Sequence, residues 1–221
     1  MLTKEDQKHW RPQPEVLAYV SSLIADGAKV LEIGPGQIPF SKATHFIDIN
    51  PGENRIRCDV QFEPLPFEDK SFDFIYTRHT IEDLIWPFPC LKEMSRVGKA
   101  GYIETPSPLA ECVRGIDGNP HNWRGYFHHQ WLVWNDGKTL KLLKKLPLME
   151  YMPFPDENTM ENILRGNPMA WNSHFLWKEE IKWEICSFKL KGENTQLVIS
   201  AIQDDMLSTN NFINDIKKML S

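Results

Sequence analysis

Three acidic residues and one glycine turn carry the clearest chemistry in this sequence. Val30-Leu31-Glu32-Ile33-Gly34-Pro35-Gly36 reads as a buried strand ending in Gly-x-Gly, a turn that bends sharply and lets a ligand approach bare backbone. Asp48 ends the next apolar run, 16 residues after Glu32, where a carboxylate can accept hydrogen bonds from both hydroxyls of a ribose. Asp59 ends a third run and is placed to receive an adenine amino group. Each aspartate taken singly is equally well read as a turn or cap residue. On three successive strand ends, the set points to a nucleoside-containing ligand.

A second group of residues offers proton transfer and anion binding. His79 follows the fourth strand-like run, beside Arg78, which could anchor an anionic group in a bidentate contact. Glu104 ends the fifth run and is a further pocket candidate. His128 and His129 titrate in the right range to take a proton from a hydroxyl or amine, so with His79 they are the candidate catalytic residues. Ordinary hydrogen bonding in a packed region is the competing reading. Asp117, His121, His128 and His129 together hold metal-ligating atoms. Adjacent histidines seldom serve one ion, however, and there is no His-x₃-His spacing, so no metal site is expected.

The elements that must position these groups alternate. Residues 14–26 place Val16, Leu17, Val20, Leu23 and Ile24 at helical spacing, and Gly27 ends the run. Strands are expected at 28–33, 43–49, 55–60, 72–77 and 101–105. A helical stretch at 80–96 should be split by Pro87 and Pro89. Farther along, WLVW-NDG-KTLKLL predicts a hairpin and DENTMENILRG carries helix signals. The segments 182–190 and 195–203, separated by KGEN, predict a second, closing hairpin, with a short amphipathic helix from Asp204 to Ser221. The sum is an α/β domain with a mostly parallel sheet closed by an antiparallel β-hairpin. The first two strands are only about ten residues apart, and the Asn50–Asn54 link is shorter. Flanking helices are therefore expected to shrink to turns, leaving one sheet face open or covered by the later insertion.

VLEIGPG (30–36), FIDIN (46–50), CDVQFEPLPFEDKSFDFIYTRHTIEDL (58–84) and MSRVGKAGYIETPSP (94–108) together resemble class I S-adenosylmethionine-dependent methyltransferases, specifically the group with an LPF-x-x-x-SFD segment. The resemblance covers residues 14–108 and implies a Rossmann-like fold with S-adenosylmethionine as cofactor. It implies that Gly34 and Gly36 pass beneath the methionine part, with Glu32 near its amino group. Asp48 would hold the ribose, Asp59 and Val60 would frame the adenine, and Thr77-Arg78-His79 would border cofactor and acceptor. Ile38 stands where the family often has a third glycine, and Pro39 stands where a dinucleotide fingerprint needs one, which argues against a nicotinamide dehydrogenase.

The whole chain is expected to be a single domain, 1–221, with residues 106–180 as an insertion after the fifth strand on the acceptor side. Tryptophans 123, 131, 134, 171, 177 and 183 fall in or just after that insertion, as core first and as an aromatic wall second. A net charge of −5 argues against a broad nucleic-acid surface, and the Lys138–Lys145 run reads as a solvated face. No apolar run approaches the length of a membrane span, and the N-terminus lacks a secretory core. Four scattered cysteines signal neither zinc nor a disulfide framework, so a cytoplasmic enzyme acting on a small-molecule substrate is expected. The alternative is a non-catalytic cofactor-binding or partner protein that keeps the fold.

Overall fold

Glycine and proline punctuate the chain where its elements begin and end. The computed structural model describes residues 11–117, 122–154, 156–189 and 194–221. In chain order the first elements are α1 (Pro14–Ser22), β1 (Val30–Ile33), β2 (His45–Asp48), β3 (Arg55–Arg57), β4 (Phe74–Arg78), α2 (Phe88–Val97) and β5 (Ala100–Pro106). The next are α3 (Pro108–Cys112), β6 (Trp131–Asn135), β7 (Leu140–Lys144), α4 (Glu157–Gly166), β8 (Asn172–Lys178), β9 (Trp183–Cys186) and α5 (Asn194–Leu220). Pro87 and Pro89 do not split a helix as the sequence suggested; they occupy the start of α2, where a missing N–H costs no helical hydrogen bond.

The main sheet has the order β3-β2-β1-β4-β5-β8, with the first five strands parallel and β8 antiparallel along the full length of β5. No helix interrupts the links β1–β2 and β2–β3, in keeping with their shortness, and the longer link 58–73 between β3 and β4 also lacks one. Four-residue strands make this workable, because a few extended residues span the return distance. Alternation sends Leu31, Ile33, Ile75 and Ile103 to one face, packed on Phe88, Leu91 and Met94 of α2. Val30, Phe74, Tyr76 and Tyr102 go to the other face, packed on Val16 and Val20 of α1 and on Phe212 and Ile216 of α5. That second face is therefore covered by the two terminal helices, neither open nor roofed by the middle of the chain.

The closing hairpin is not formed. Residues 195–203 lie inside α5, a 27-residue helix. Its buried positions Val198, Ala201, Asp205, Ser208, Phe212 and Ile216 follow the helical stripe. The antiparallel closure comes instead from the single strand β8. The other half of the expected hairpin, β9, pairs parallel to β7 in a separate three-stranded sheet, β6-β7-β9. The β6–β7 hairpin and the α4 helix form as the sequence indicates, the latter capped by Asp156 accepting from the Asn158 and Thr159 amides. A second core joins Leu109 and Val113 to Trp134, Leu143, Trp171 and Val198.

The lysine run is not a solvated face. Lys141 pairs with Asp204 and Asp136, Lys144 lies over the Trp131 ring, and Lys145 reaches the buried Glu111. Only Lys138 of the four is exposed.

Candidate active site at the carboxyl edge of the sheet

Five parallel strands end on the same edge, so the residues that follow them are brought together regardless of their separation in sequence. After β1 the chain turns through Gly34 (φ 71°) and Gly36 (φ 50°), both in the left-handed region. A Cβ at Gly34 would stand 2.3 Å from Thr80 Oγ1, so glycine is required there by both backbone and packing. At Gly36 nothing lies within 4 Å of such a Cβ, which leaves the turn's outer side open. Gly34 to Ile38, Arg78 and His79 enclose a cleft of about 360 Å³.

Arg55 of β3 ties this turn to Asp48: its guanidinium donates to the Gly36 carbonyl at 2.7 Å and stands 3.5 Å from Asp48 Oδ2. Asp48 Oδ1 accepts the Asn50 amide at 2.9 Å. Asp59 heads a tight turn, accepting the Gln61 amide at 3.1 Å, with Val60 buried beside it. Gln61 in turn accepts the Ile85 amide, which fastens the segment after β4 to the turn at Asp59. Glu32 is buried and accepts the Phe40 amide at 2.8 Å. Burial pushes its carboxyl up to about 7, against the Phe40 amide and the Arg55 and Arg78 charges. Thr77 is fully buried and donates to the Ile33 carbonyl, so its hydroxyl joins β4 to β1 beneath the cleft.

His79 stands at the mouth with φ 49°, its Nδ1 3.3 Å from Glu82 Oε1 and its Nε2 3.6 Å from Glu104 Oε1. Burial opposes its protonation, but the two carboxyl groups outweigh burial and hold its pKa above the ordinary value. Glu104 is the hub of a buried network: Arg78 donates at 2.7 Å, Asn172 at 3.0 Å and the Tyr102 hydroxyl at 2.6 Å. Burial works against its charge, yet His79, Arg78 and His174 keep its carboxyl well below the usual range. His174 is fully enclosed, bonded to Tyr102 and stacked on Phe212, and so belongs to the core.

The turn at 126–129 brings a second cluster against the segment after β4. Both His128 Nε2 and His129 Nε2 lie 3.7 Å from Asp83 Oδ1, and the backbone amides of Gln130 and Trp131 donate to the Glu82 carbonyl. His129 Nδ1 meets Glu111 Oε1 at 2.5 Å, and Lys145 meets the other oxygen at 2.5 Å. Burial raises the Asp83 carboxyl to about 6, assisted by Glu82 and opposed by His129 and His79. Asp117 does not join the histidine pair in this grouping, and His121 lies outside the described residues. Sequence reasoning missed Glu82, Asp83 and Glu111. Glu82 and Asp83 lie within the quoted RHTIED segment, but Glu111 had no local signal.

The family model of a methyltransferase domain matches residues 30–103. Among solved structures, a SAM-dependent methyltransferase from Aquifex aeolicus aligns over 47% of this chain and 72% of its own, at 20% identity and TM-score 0.34. An S-adenosylmethionine-dependent methyltransferase from Mesorhizobium loti aligns over 47% and 59%, at 14% identity and TM-score 0.36. No curated protein sequence matches significantly. The structural likenesses are too distant to add to the family match. Residues 30–103, with their strands in the order β3-β2-β1-β4-β5 and a glycine turn after β1, are thus similar to a methyltransferase domain.

Proposed function

We propose that this protein transfers the methyl group of S-adenosylmethionine to a small-molecule acceptor in the cytoplasm. The observation that carries this reading is the Arg55 bridge, which fixes a ribose-competent carboxylate, Asp48, beside the open glycine turn. In the proposed arrangement Gly34 and Gly36 receive the methionine part, Glu32 faces its amino group, Asp48 holds the ribose, and Asp59 with Val60 frames the adenine. Thr77 supports the floor from below. These residues fit the cofactor: the space beside Gly36 is open, and a buried carboxyl with a raised pKa gains from a cationic partner. When bound, the cofactor supplies an electrophilic methyl group on sulfonium sulfur. The protein's share is positioning and exclusion of water.

His79 lines the cleft with both ring nitrogens turned to Glu82 and Glu104, so its proposed part is to order those carboxyl groups at the cleft mouth rather than to donate to an acceptor in this rotamer. His128 and His129 face the same segment from residues 106–180, which we assign to the acceptor side of a single domain. Free Cys58, Cys90 and Cys112 are compatible with a reducing compartment, and no helix among the described residues is long and apolar enough to cross a membrane. The net charge of −5 favours a small acceptor over nucleic acid.

Titration calorimetry with S-adenosylhomocysteine tests the reading; saturable one-to-one binding supports it, and the absence of binding ends it. Gly36→Ala should weaken that binding about tenfold, because a methyl group would occupy the open side of the turn, while strain at φ 50° lowers stability by about 1 kcal/mol. Affinity should also depend on pH. Below about 7 Glu32 carries a proton that a cationic amino group must displace, so binding strengthens as pH rises. Between pH 6 and 8 the gain should be about tenfold and should vanish in Glu32→Gln. Equal pH slopes in the two proteins would remove Glu32 from the site.

A further inference from the structure

We propose that Asp83, His128 and His129 bind a divalent transition-metal ion of the Zn²⁺ type on the acceptor side of the cleft. Their ligand atoms lie within 4.8 Å of one another, and both imidazole Nε2 atoms stand 3.7 Å from the same Asp83 oxygen. Bonds of about 2.0–2.2 Å place ligand atoms about 3.4 Å apart around a tetrahedral ion, so a small inward rotation of the half-exposed Asp83 and His128 side chains toward buried His129 completes the geometry. Neighbouring histidines in a strand would point to opposite faces. Here they leave a turn, with ring centroids 4.5 Å apart and planes at 76°, and present their Nε2 atoms to one carboxyl group.

The surroundings are those of a supported ligand. His129 Nδ1 is engaged by buried Glu111, which fixes the ring and leaves Nε2 to face Asp83. Lys145 holds Glu111 from the far side, and Gly125 gives it room, since a Cβ there would stand 2.2 Å from Glu111 Oε2. Glu82, adjacent to Asp83, is 1% exposed, and its carboxyl meets only the His79 imidazole, at 3.3 Å, among the described ion pairs. Arg78 pairs with Glu104 and Lys145 with Glu111, whereas the ion-pair partners of Asp83 among the described residues are the two imidazoles. Two imidazoles and one carboxylate suit Zn²⁺ or Co²⁺ better than Mg²⁺, which prefers oxygen ligands and water. Three protein ligands leave positions open for water or an acceptor oxygen. That acceptor role rests on the methyltransferase reading; the ion site does not.

The test is titration of chelator-treated full-length protein with Zn²⁺ by calorimetry and with Co²⁺ by visible absorption, without cofactor. One ion per chain is expected, with cobalt bands of nitrogen and oxygen ligation. Asp83→Asn and His128→Ala, both at half-exposed side chains, should each weaken binding at least tenfold while leaving melting temperature and S-adenosylhomocysteine affinity unchanged. Binding that is unsaturable, unchanged in both variants, or marked by thiolate charge-transfer bands would overturn the proposal. Zinc binding in a protein that ignores S-adenosylhomocysteine would leave the ion site standing and remove the methyltransferase reading; the converse would do the opposite.

Discussion

Replacing Asp48 by alanine should weaken S-adenosylmethionine and S-adenosylhomocysteine binding about a hundredfold, because two ribose hydroxyls lose a charged acceptor worth about 1.5 kcal/mol each. The structural cost should be small. Asp48 accepts one local amide, from Asn50, and its part-buried ion pair with Arg55 is the longer arm of the bridge, at 3.5 Å against 2.7 Å to the Gly36 carbonyl. Arg55 keeps its bond to the Gly36 carbonyl, so the turn retains its main restraint. Asp48→Asn keeps one acceptor oxygen and should lose about tenfold, between wild type and alanine. Calorimetric affinities with melting temperatures measured in parallel decide the matter. An unchanged affinity in Asp48→Ala would mean that this carboxylate does not hold the ribose.

Asp205→Asn should stabilise the protein at neutral and alkaline pH by several kcal/mol. Asp205 lies on the buried face of α5, and burial raises its carboxyl to about 7, against hydrogen bonds from Ser173 and the Asn135 backbone and with a further push from Asp204. In the unfolded chain the same group titrates near its ordinary value of 3.8. Below that pH both states are protonated and the group contributes nothing to the balance. Between 3.8 and about 7 the unfolded chain ionises while the folded one holds its proton, so stability falls by about 1.4 kcal/mol for each pH step. Above 7 the full penalty persists. Asparagine cannot ionise, so its advantage should be absent at pH 4 and reach about 4 kcal/mol at pH 8. Urea unfolding of both proteins at those two pH values measures it; the same difference at both would show that ionisation of Asp205 is not the cause.

The parallel core was legible because its signals are local. Val30 to Ile33 is a short apolar run stopped by glycine, and Phe74 to Thr77 alternates between two buried faces. The glycine turn, Asp48 and Asp59 follow strand ends, so finding the strands finds the cleft. Residues 195–203 misled for a physical reason: TQLVISAIQ is short, apolar and rich in β-branched residues, and periodicity alone does not separate strand from helix in such a run. Packing decided it. Phe212 stacks against Tyr102 and His174 and meets Tyr19 edge-on, while Ser208 bonds Asn135, so the helix gains contacts that a hairpin strand would not.

By itself, the sequence determined the parallel strands, the glycine turn and the carboxylates at the strand ends, because strand periodicity and turn chemistry act over a few neighbouring residues. The tertiary structure alone decided that α5 closes the second face and that β8, rather than a hairpin, ends the sheet. It also decided that His128 and His129 meet Asp83, that Glu111 backs His129, and that Lys145 backs Glu111. Those partners are separated by 18 to 46 positions along the chain, and no local rule relates them; they meet because β6, β7 and α3 dock on the edge where β4 ends.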